Sequence, residues 1–352
     1  PHLVNGGHNF DWPFHAWTFG RGAEVDRPWL TDELVRLSNW APDPVCDFLG
    51  DNAGHWYRAI HTYARANRHR ETWEDWNCAR LFRTAAHFCR DNARRDNFFL
   101  WLDCFDPHEP WDAPPEFVLQ YDDTPGYDGR VDPRLFAAAN DDRMSPAARR
   151  RVQCFYAAKV SWMDHWLGTL LDELEATGLA DRTALVVTSD HGTNVGEEGR
   201  FGKALPVRQR EGHVPLMVHL PGQDTAVRSD RIAQPQDVFA TILSLADRPV
   251  PDHAGGCDLL ADESGGWRRE LALSGALPSP WTRGLDLTAF DGKWSLEVCP
   301  RPEDSRLRRL GDDACVTDQH SDVAERLHAS ALAEAERRGI EPALLAWFRQ
   351  GG

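Results

Sequence analysis

Residues 183–203 read TALVVTSDHGTNVGEEGRFGK, and this stretch decides the fold. Its apolar, β-branched start predicts a buried strand, with Asp190 and His191 at the strand's carboxyl end. Open α/β sheets place their ligands at that end. Adjacent oxygen and nitrogen donors suit a divalent cation, and Lys203 on the next loop suits an oxyanion held beside that cation. The stretch therefore predicts a metal-dependent hydrolase of sulfate or phosphate esters.

Length and composition predict a soluble globular protein with one large and one small domain. The chain has 352 residues, of which 41% are hydrophobic and 27% charged, as is ordinary for globular proteins. Its net charge of −16 argues against a nucleic-acid partner, because phosphate binding needs a basic face. No apolar run approaches the length that spans a membrane, so we expect no membrane partner.

The eight cysteines stand singly at irregular spacings, without a C-x-x-C pair. This pattern argues against a zinc ribbon and against a dense disulfide scaffold. It favours a reducing, cytoplasmic compartment. Localisation nevertheless stays undetermined, because the chain begins at Pro1 and a targeting segment could precede it.

The other apolar patterns predict an α/β fold with a mainly parallel sheet and helices on both faces. Residues 97–102, NFFLWL, have the composition of a second buried strand, and an extended proline-rich loop follows them. Ser145 is a suitable N-cap for a long amphipathic helix that ends before Gly178. Residues 214–220 predict a further strand. Strand, helix and strand in this order predict a right-handed parallel connection.

A proline- and glycine-rich stretch near residue 250 marks the best internal boundary. The predicted domains are residues 1–250, which form the large α/β domain, and residues 251–352. Within the second domain, Asp291-Gly292 between two apolar runs predicts a hairpin. Residues 322–338 predict an amphipathic helix that covers the sheet. The second domain is therefore expected to be a small antiparallel α+β subdomain.

Several motifs, in the right order, resemble the sulfatase family of the alkaline-phosphatase superfamily. Three motifs resemble the second half of that family's sequences, namely SDHG at 189–192, GK at 202–203 and HVPLMVHLPG at 213–222. FFLWLDCFDPHEPW at 98–111 resembles the family's strand and H-x-P loop. FDWPFHAWTFGRGAEVD at 10–26 resembles the branch of bacterial arylsulfatases and phosphonate monoester hydrolases. The resemblance implies the alkaline-phosphatase-like fold for the large domain.

The resemblance also implies roles for individual residues. Asp190 and His191 would be metal ligands, and Lys203 would contact the sulfate or phosphate group. His108 would contact the substrate oxyanion or the leaving-group oxygen. Further candidates for the substrate pocket are His2, Arg21 and His213. Structural alternatives stay open, namely a helix N-cap for Asp190, a core histidine for His191 and a surface lysine for Lys203.

One divalent ion is implied as cofactor, with Ca²⁺ as the first expectation and Mn²⁺ or Mg²⁺ as alternatives. A histidine ligand favours the softer metal. The resemblance further implies a formylglycine nucleophile, made from the Cys or Ser of a C-x-P-S-R motif. None of the eight cysteines lies in such a motif, and no Asp-Asp pair follows an apolar run near the start. The expected substrate is a small-molecule sulfate ester, with a phosphate or phosphonate ester as the close variant.

Two hypotheses follow from the missing nucleophile motif. In the first, the chain belongs to a sulfuric ester hydrolase whose N-terminal part lies outside this sequence. In the second, it is a truncated or non-catalytic chain of the same fold that acts as a binding or structural module. A half-built sheet would leave an apolar strand edge exposed, and a homo-oligomer would cover it. Retention of Asp190, His191, Lys203 and His108 together favours the hydrolase.

Overall fold

The computed structural model describes residues 13–23, 26, 35–41, 53–133, 135, 139–140, 142–203, 205–261, 269–276 and 286–349. Contacts divide the chain into two units, residues 1–183 with 199–201 and residues 184–198 with 202–352. The predicted division into residues 1–250 and 251–352 is a different partition, and it stays a prediction.

The described part of the first unit is mainly helical. Their bounds are α1 Ala53–Ala66, α2 Asn77–Asp91, α3 Pro115–Val118 and α4 Pro146–Ala176. Helices α2 and α4 pack against each other, and each buries an apolar face that includes Phe82 on α2 and Phe155 and Trp162 on α4. Among the described residues, no helix is both long enough and apolar enough to cross a membrane.

The long helix α4 begins and ends where the sequence predicts. The side chain of Ser145 accepts a hydrogen bond from the Ala148 amide at 3.2 Å. Pro146 occupies the first turn, where its missing N–H removes no intrahelical bond. Gly178, with φ of 69°, lies just beyond the last helical residue, in the left-handed conformation that commonly follows a helix. Local capping signals therefore sufficed to predict this element.

The predicted strand at residues 97–102 is wrong. Residues 97–105 form neither strand nor helix, and Asn97 has φ of 60°. Phe99 and Trp101 are 54% and 61% exposed. A strand needs a neighbour that takes up its backbone hydrogen bonds, and no described strand pairs with this segment. Apolar composition alone did not distinguish an extended loop from a strand.

Four short strands follow α4 in the chain. They are β1 Leu185–Thr188, β2 Asn194–Val195, β3 Phe201–Gly202 and β4 Leu216–His219. Strands β1 and β4 pair antiparallel, with Leu185 opposite His219 and Thr188 opposite Leu216. This direction differs from the parallel arrangement expected for these strands, because hydrophobic periodicity does not reveal how a neighbour runs. Strands β2 and β3 form a separate two-stranded sheet.

The C-terminal part is an antiparallel sheet covered by helices, as predicted. Its strands, in spatial order, are β5 Ala272–Ala276, β6 Asp286–Phe290, β7 Trp294–Val298 and β8 Arg306–Arg309. Among its described residues, the second unit has the α-helices α5 Gln209–Gly212, α6 Pro235–Leu245, α7 Ser321–Arg337 and α8 Pro342–Arg349. Leu296, Leu307 and Leu327 are fully buried in one core between the sheet and the helices. Removing each such side chain from water contributes about 1.5–3 kcal/mol.

The predicted hairpin joins β6 to β7. Oδ1 of Asp291 accepts hydrogen bonds from the amides of Lys293 at 3.0 Å and Trp294 at 2.8 Å. Gly292 has φ of 85°, a conformation that glycine adopts without steric cost. The turn therefore fixes the register that buries Trp294.

Candidate metal and substrate site

Asp190 and His191 follow β1 directly and bring two donor atoms close together. Oδ2 of Asp190 lies 3.6 Å from Nε2 of His191, and the two side chains are 85% and 46% exposed. Ligand atoms about 2.0–2.5 Å from one ion lie about 3–4 Å apart when they are neighbours in its coordination shell. The pair therefore has the spacing of two adjacent ligands of one divalent ion.

Local hydrogen bonds prepare both side chains for that role. Nδ1 of His191 lies 2.8 Å from the carbonyl oxygen of Gly192. Because a carbonyl oxygen only accepts, Nδ1 carries the proton, and the neutral ring keeps its lone pair on Nε2. Oδ1 of Asp190 accepts from the His191 amide at 2.8 Å, which leaves Oδ2 for an ion. No helix begins in the described residues 191–193, so Asp190 is not a helix N-cap, and His191 is too exposed to be a core histidine.

The donor atoms of the two residues agree with their predicted role as metal ligands. Carboxylate oxygen and imidazole nitrogen fit a divalent ion by chemical type, and their spacing fits as well. In the described part of the chain, no group of three or more His, Cys, Asp or Glu side chains is gathered as a metal site. Asp190 and His191 therefore stay predicted metal ligands, and no further ligand is assigned among the described side chains.

Gly192 anchors the Asp190–His191 loop against the turn that contains α5. Its amide donates to the carbonyl oxygen of Glu211 at 2.8 Å. A Cβ on Gly192 would lie 2.0 Å from the carbonyl oxygen of Arg210, a separation that non-bonded atoms cannot adopt. Only glycine therefore permits this close approach of two backbones.

We expect Gly192→Ala to lower the free energy of unfolding of the second unit by about 1–3 kcal/mol, because the backbone must move to relieve the overlap. Thermal unfolding of the protein would measure the change. Gly168→Ala is the control, since Gly168 lies inside α4 with nothing within 4 Å of the added Cβ. Alanine in a helix interior should stabilise by about 0.5–1 kcal/mol. Equal tolerance of the two substitutions would contradict the close approach at Gly192.

Glu211 links the loop after β1 to the loop that carries Lys203. Both Glu211 and Asn194 are buried. Nδ2 of Asn194 donates to Oε1 of Glu211 at 2.6 Å and to the carbonyl oxygen of Gly202 at 2.8 Å. Oε2 of Glu211 accepts from the Arg208 amide at 2.9 Å. Lys203 follows Gly202 directly, so the Asn194 amide, which the Glu211 carboxylate orients, fixes the lysine backbone. The main-chain carbonyl of the same Glu211 holds the Asp190 loop through the Gly192 amide.

Two arginines and two glutamates form ion pairs that join residues 198–208 to the C-terminal sheet. Nε of Arg208 lies 2.7 Å from Oε1 of Glu297, and Nη1 of Arg308 lies 2.5 Å from the same oxygen. Glu198 pairs with Arg208 and, at 3.5 Å, with Arg308. Alternating charges compensate one another in this largely buried cluster. No sequence pattern predicted this cluster, because residues so distant in the chain carry no shared local signal.

His213 belongs to the same unit as Asp190, His191 and Lys203. It follows α5, and its amide donates to the carbonyl oxygen of Gln209 at 2.8 Å. The residue is exposed. Its position after the anchored turn keeps it a candidate for the substrate pocket.

His108 lies in the first unit, on the proline-rich loop. Its Nδ1 donates to the carbonyl oxygen of Glu109 at 2.7 Å, and its ring stacks on Phe105 with centroids 4.3 Å apart. The side chain is half-buried. These contacts fix the ring and leave Nε2 as the atom that can meet a ligand.

A buried charge network holds this loop on both sides of the histidine. Nζ of Lys159 lies 3.0 Å from Oδ2 of Asp106 and donates to the carbonyl oxygen of Asp112 at 2.9 Å. Oδ2 of Asp112 lies 2.6 Å from Nη2 of Arg70 and accepts from the Tyr63 hydroxyl at 3.1 Å. No sequence pattern predicted this network, since a lysine inside an apolar helix pattern looks like an interruption of the pattern.

The network shifts the ionisation of its members. Burial alone would raise the pKa of Asp112, but the charges of Arg70 and Lys159 outweigh burial and hold that pKa below its ordinary value. Burial alone would lower the pKa of Lys159, but Asp106, Tyr63 and Asp112 raise it. Both side chains therefore stay charged at neutral pH.

Arg21 forms a local ion pair instead of an open anion site. Its Nη2 lies 2.6 Å from Oδ1 of Asp26, and its Nε donates to Oδ2 of the same residue at 2.9 Å. The Gly22 amide donates to Oδ2 as well, at 2.9 Å. His2 lies outside the described residues. His108 and Arg21 belong to the first unit, and their membership in one site with Asp190 stays a prediction.

Comparison with known proteins identifies the family. The sequence model of the family Sulfatase matches residues 28–248. An arylsulfatase of Clostridium perfringens is 24% identical over 268 residues, which are 69% of this chain and 46% of that protein. The chain spans about a quarter to a half of the length of the curated relatives it matches.

Solved structures show the same fold. A phosphonate monoester hydrolase from Silicibacter pomeroyi has a TM-score of 0.59 at 19% identity and covers 76% of this chain and 61% of its own. A phosphonate monoester hydrolase of Agrobacterium radiobacter has a TM-score of 0.57 at 19% identity, with 80% and 62% covered. These neighbours confirm the predicted alkaline-phosphatase-like α/β class, and the family match confirms the resemblance of the motifs. The chain belongs to the sulfatase family.

Proposed function

We propose that the protein containing this chain hydrolyses small-molecule sulfate esters with the help of one divalent metal ion. The observation that carries the proposal is the 3.6 Å separation between Oδ2 of Asp190 and Nε2 of His191, at the end of β1 in a chain of the sulfatase family. The name of the Clostridium perfringens relative, arylsulfatase, favours an aryl sulfate as substrate. The neighbours named phosphonate monoester hydrolases make a phosphonate monoester the close variant.

Each candidate residue has a defined task in this proposal. Asp190 and His191 hold the metal ion, which when bound withdraws charge from the group that is transferred. Lys203 places a fixed positive charge beside the transferred group, and such pre-positioned charges lower the barrier most where charge develops. His108 contacts the substrate oxyanion or the leaving-group oxygen through the Nε2 side of its ring. Arg21 and His213 stay second-rank candidates for substrate contacts.

The proposed cofactor is one divalent ion, whereas the nucleophile has no assigned residue. Ca²⁺ is the first expectation and Mn²⁺ or Mg²⁺ are the alternatives, since a carboxylate suits all three and an imidazole suits the softer Mn²⁺. The formylglycine nucleophile implied by the family resemblance is assigned to no residue here, because no cysteine of this sequence lies in a C-x-P-S-R motif.

We expect Lys203→Ala to lower kcat/KM for p-nitrophenyl sulfate by about 10²–10³-fold, the usual effect of removing one group that stabilises developing charge. The assay follows p-nitrophenol release by the protein in the form that its native source makes. Lys293→Ala is the matched control, because Lys293 is an exposed lysine in the β6–β7 turn of the same unit. Unchanged turnover in Lys203→Ala would overturn the role given to Lys203.

A parallel assay with p-nitrophenyl phenylphosphonate compares the two ester classes. A higher kcat/KM for the sulfate ester supports the proposed substrate. A higher kcat/KM for the phosphonate ester would make phosphonate monoester hydrolysis the main activity. Failure of both esters in metal-replete protein would contradict the proposed function.

A further inference from the structure

Two cysteines of the first unit lie in contact beside the His108 loop. The sulfur atoms of Cys78 and Cys104 are 3.9 Å apart. Cys78 is buried near the start of α2, whereas Cys104 is half-buried in the segment that leads to His108. We propose that Cys78 and Cys104 form a reversible disulfide that cross-links α2 to the His108 loop.

The geometry requires only a local adjustment. A disulfide has an S–S distance of about 2.05 Å, so the sulfurs must approach by roughly 2 Å. Cys104 lies outside all helices and strands, and its segment is therefore free of the hydrogen-bond ladder that would resist the movement. Cys89, which is also buried on α2, has no hydrogen bond to another described thiol, and it provides the comparison.

The two thiols differ in a way that assigns their roles. The hydrogen bond with Cys104 and burial both raise the pKa of Cys78, so Cys78 stays protonated at neutral pH. Because the thiolate is the attacking species, the more accessible Cys104 reacts first with a disulfide in solution. Cys78 then acts as the resolving thiol.

The exchange balances with glutathione disulfide as oxidant. The Cys104 thiolate attacks one sulfur of glutathione disulfide, whose S–S bond breaks and releases one glutathione thiolate. Cys78 gives its proton to solvent and attacks the Cys104 sulfur of the mixed disulfide, which releases the second glutathione. Two electrons pass from the cysteine pair to the oxidant, which becomes two molecules of glutathione.

The test is peptide mapping after incubation of the folded protein in glutathione redox buffers. Remaining thiols are trapped with N-ethylmaleimide, and the digest is analysed by mass spectrometry. The expected product is a peptide that joins Cys78 to Cys104 and disappears on reduction. It should be absent from Cys104→Ser and persist in Cys89→Ser. Closing the loop between the two cysteines should also raise Tm by roughly 5 °C or more, because the cross-link restricts the unfolded chain.

Recovery of both cysteines as free thiols would contradict the proposed disulfide, provided that the oxidant was active. Cys315 is exposed, so its conversion to a glutathione adduct shows that the oxidant acted. If Cys315 is modified while Cys78 and Cys104 are both recovered as separate maleimide adducts, the pair is not redox-active and the proposal is wrong. A cross-link from Cys104 to any cysteine other than Cys78 would overturn it too.

Discussion

Asp112→Ala is expected to lower the free energy of unfolding of the first unit by about 3–5 kcal/mol, the cost of leaving buried charges without their partner. The Asp112 carboxylate lies 2.6 Å from Nη2 of Arg70, and neither side chain is more than 4% exposed. The substitution would leave the Arg70 guanidinium buried without its carboxylate. The segment that holds His108 would lose an anchor at the same time.

Urea unfolding followed by tryptophan fluorescence would measure this loss. Asp128→Ala is the matched control, because Asp128 pairs with Arg130 at 3.3 Å in the same unit but both side chains are exposed. Exposed ion pairs contribute about 0–1 kcal/mol. If Asp112→Ala lowers the free energy of unfolding no more than Asp128→Ala does, the buried network does not anchor the loop that carries His108.

The same carboxylate gives the stability of the first unit a defined pH dependence. The folded state holds the pKa of Asp112 below its ordinary value, which is about 3.9 in the unfolded chain. A lowered folded-state pKa contributes stability that is complete above the unfolded value and is lost as pH falls through the folded value. The stability difference between wild type and Asp112→Asn should therefore be constant near neutral pH and shrink below about pH 4. A difference that does not change down to acid unfolding would contradict the shift.

Asp190→Ala should weaken divalent-metal binding by about 100-fold or more and reduce ester hydrolysis at least as strongly. Removing a group that only orients a metal ligand already costs about 10–100-fold in affinity or activity, and Asp190 is proposed as a ligand itself. Oδ2 of Asp190 is 3.6 Å from Nε2 of His191, so the variant would keep one donor of the pair. Isothermal titration with Ca²⁺ and Mn²⁺ gives a readout that does not depend on turnover.

Asp224→Ala controls for the loss of a negative charge. Asp224 is an exposed carboxylate of the same unit, just beyond the turn that follows β4. We expect its replacement to leave metal affinity within about twofold, since exposed charges interact weakly through water. Equal metal affinity in wild type and Asp190→Ala would remove Asp190 from the metal site.

Local signals predicted several elements of the fold correctly. The N-cap at Ser145 and the glycine at 178 bounded the long helix correctly, because capping depends on a few adjacent residues. The Asp291-Gly292 turn predicted the β6–β7 hairpin for the same reason. The adjacency of Asp190 and His191 in the sequence was enough to place an oxygen and a nitrogen donor together.

Sequence patterns did not predict the contacts between residues that lie far apart in the chain. The Asn194–Glu211 hydrogen bond and the Arg208–Glu297 ion pair depend on how loops and sheet meet, and neither residue pair has a shared period or motif. The strand predicted at residues 97–102 failed because a strand is defined by its partner and not by its own composition. The antiparallel pairing of β1 with β4 is the same kind of non-local property.

Sulfate release before and after chelation decides whether this protein is a metal-dependent sulfatase. The native-source protein should release sulfate from p-nitrophenyl sulfate, lose that activity when EDTA removes divalent ions, and regain it when Ca²⁺ or Mn²⁺ is restored. Asp190→Ala should regain little activity at the same metal concentration. Sulfate release that persists unchanged after complete removal of divalent ions would contradict the metal site at Asp190 and His191.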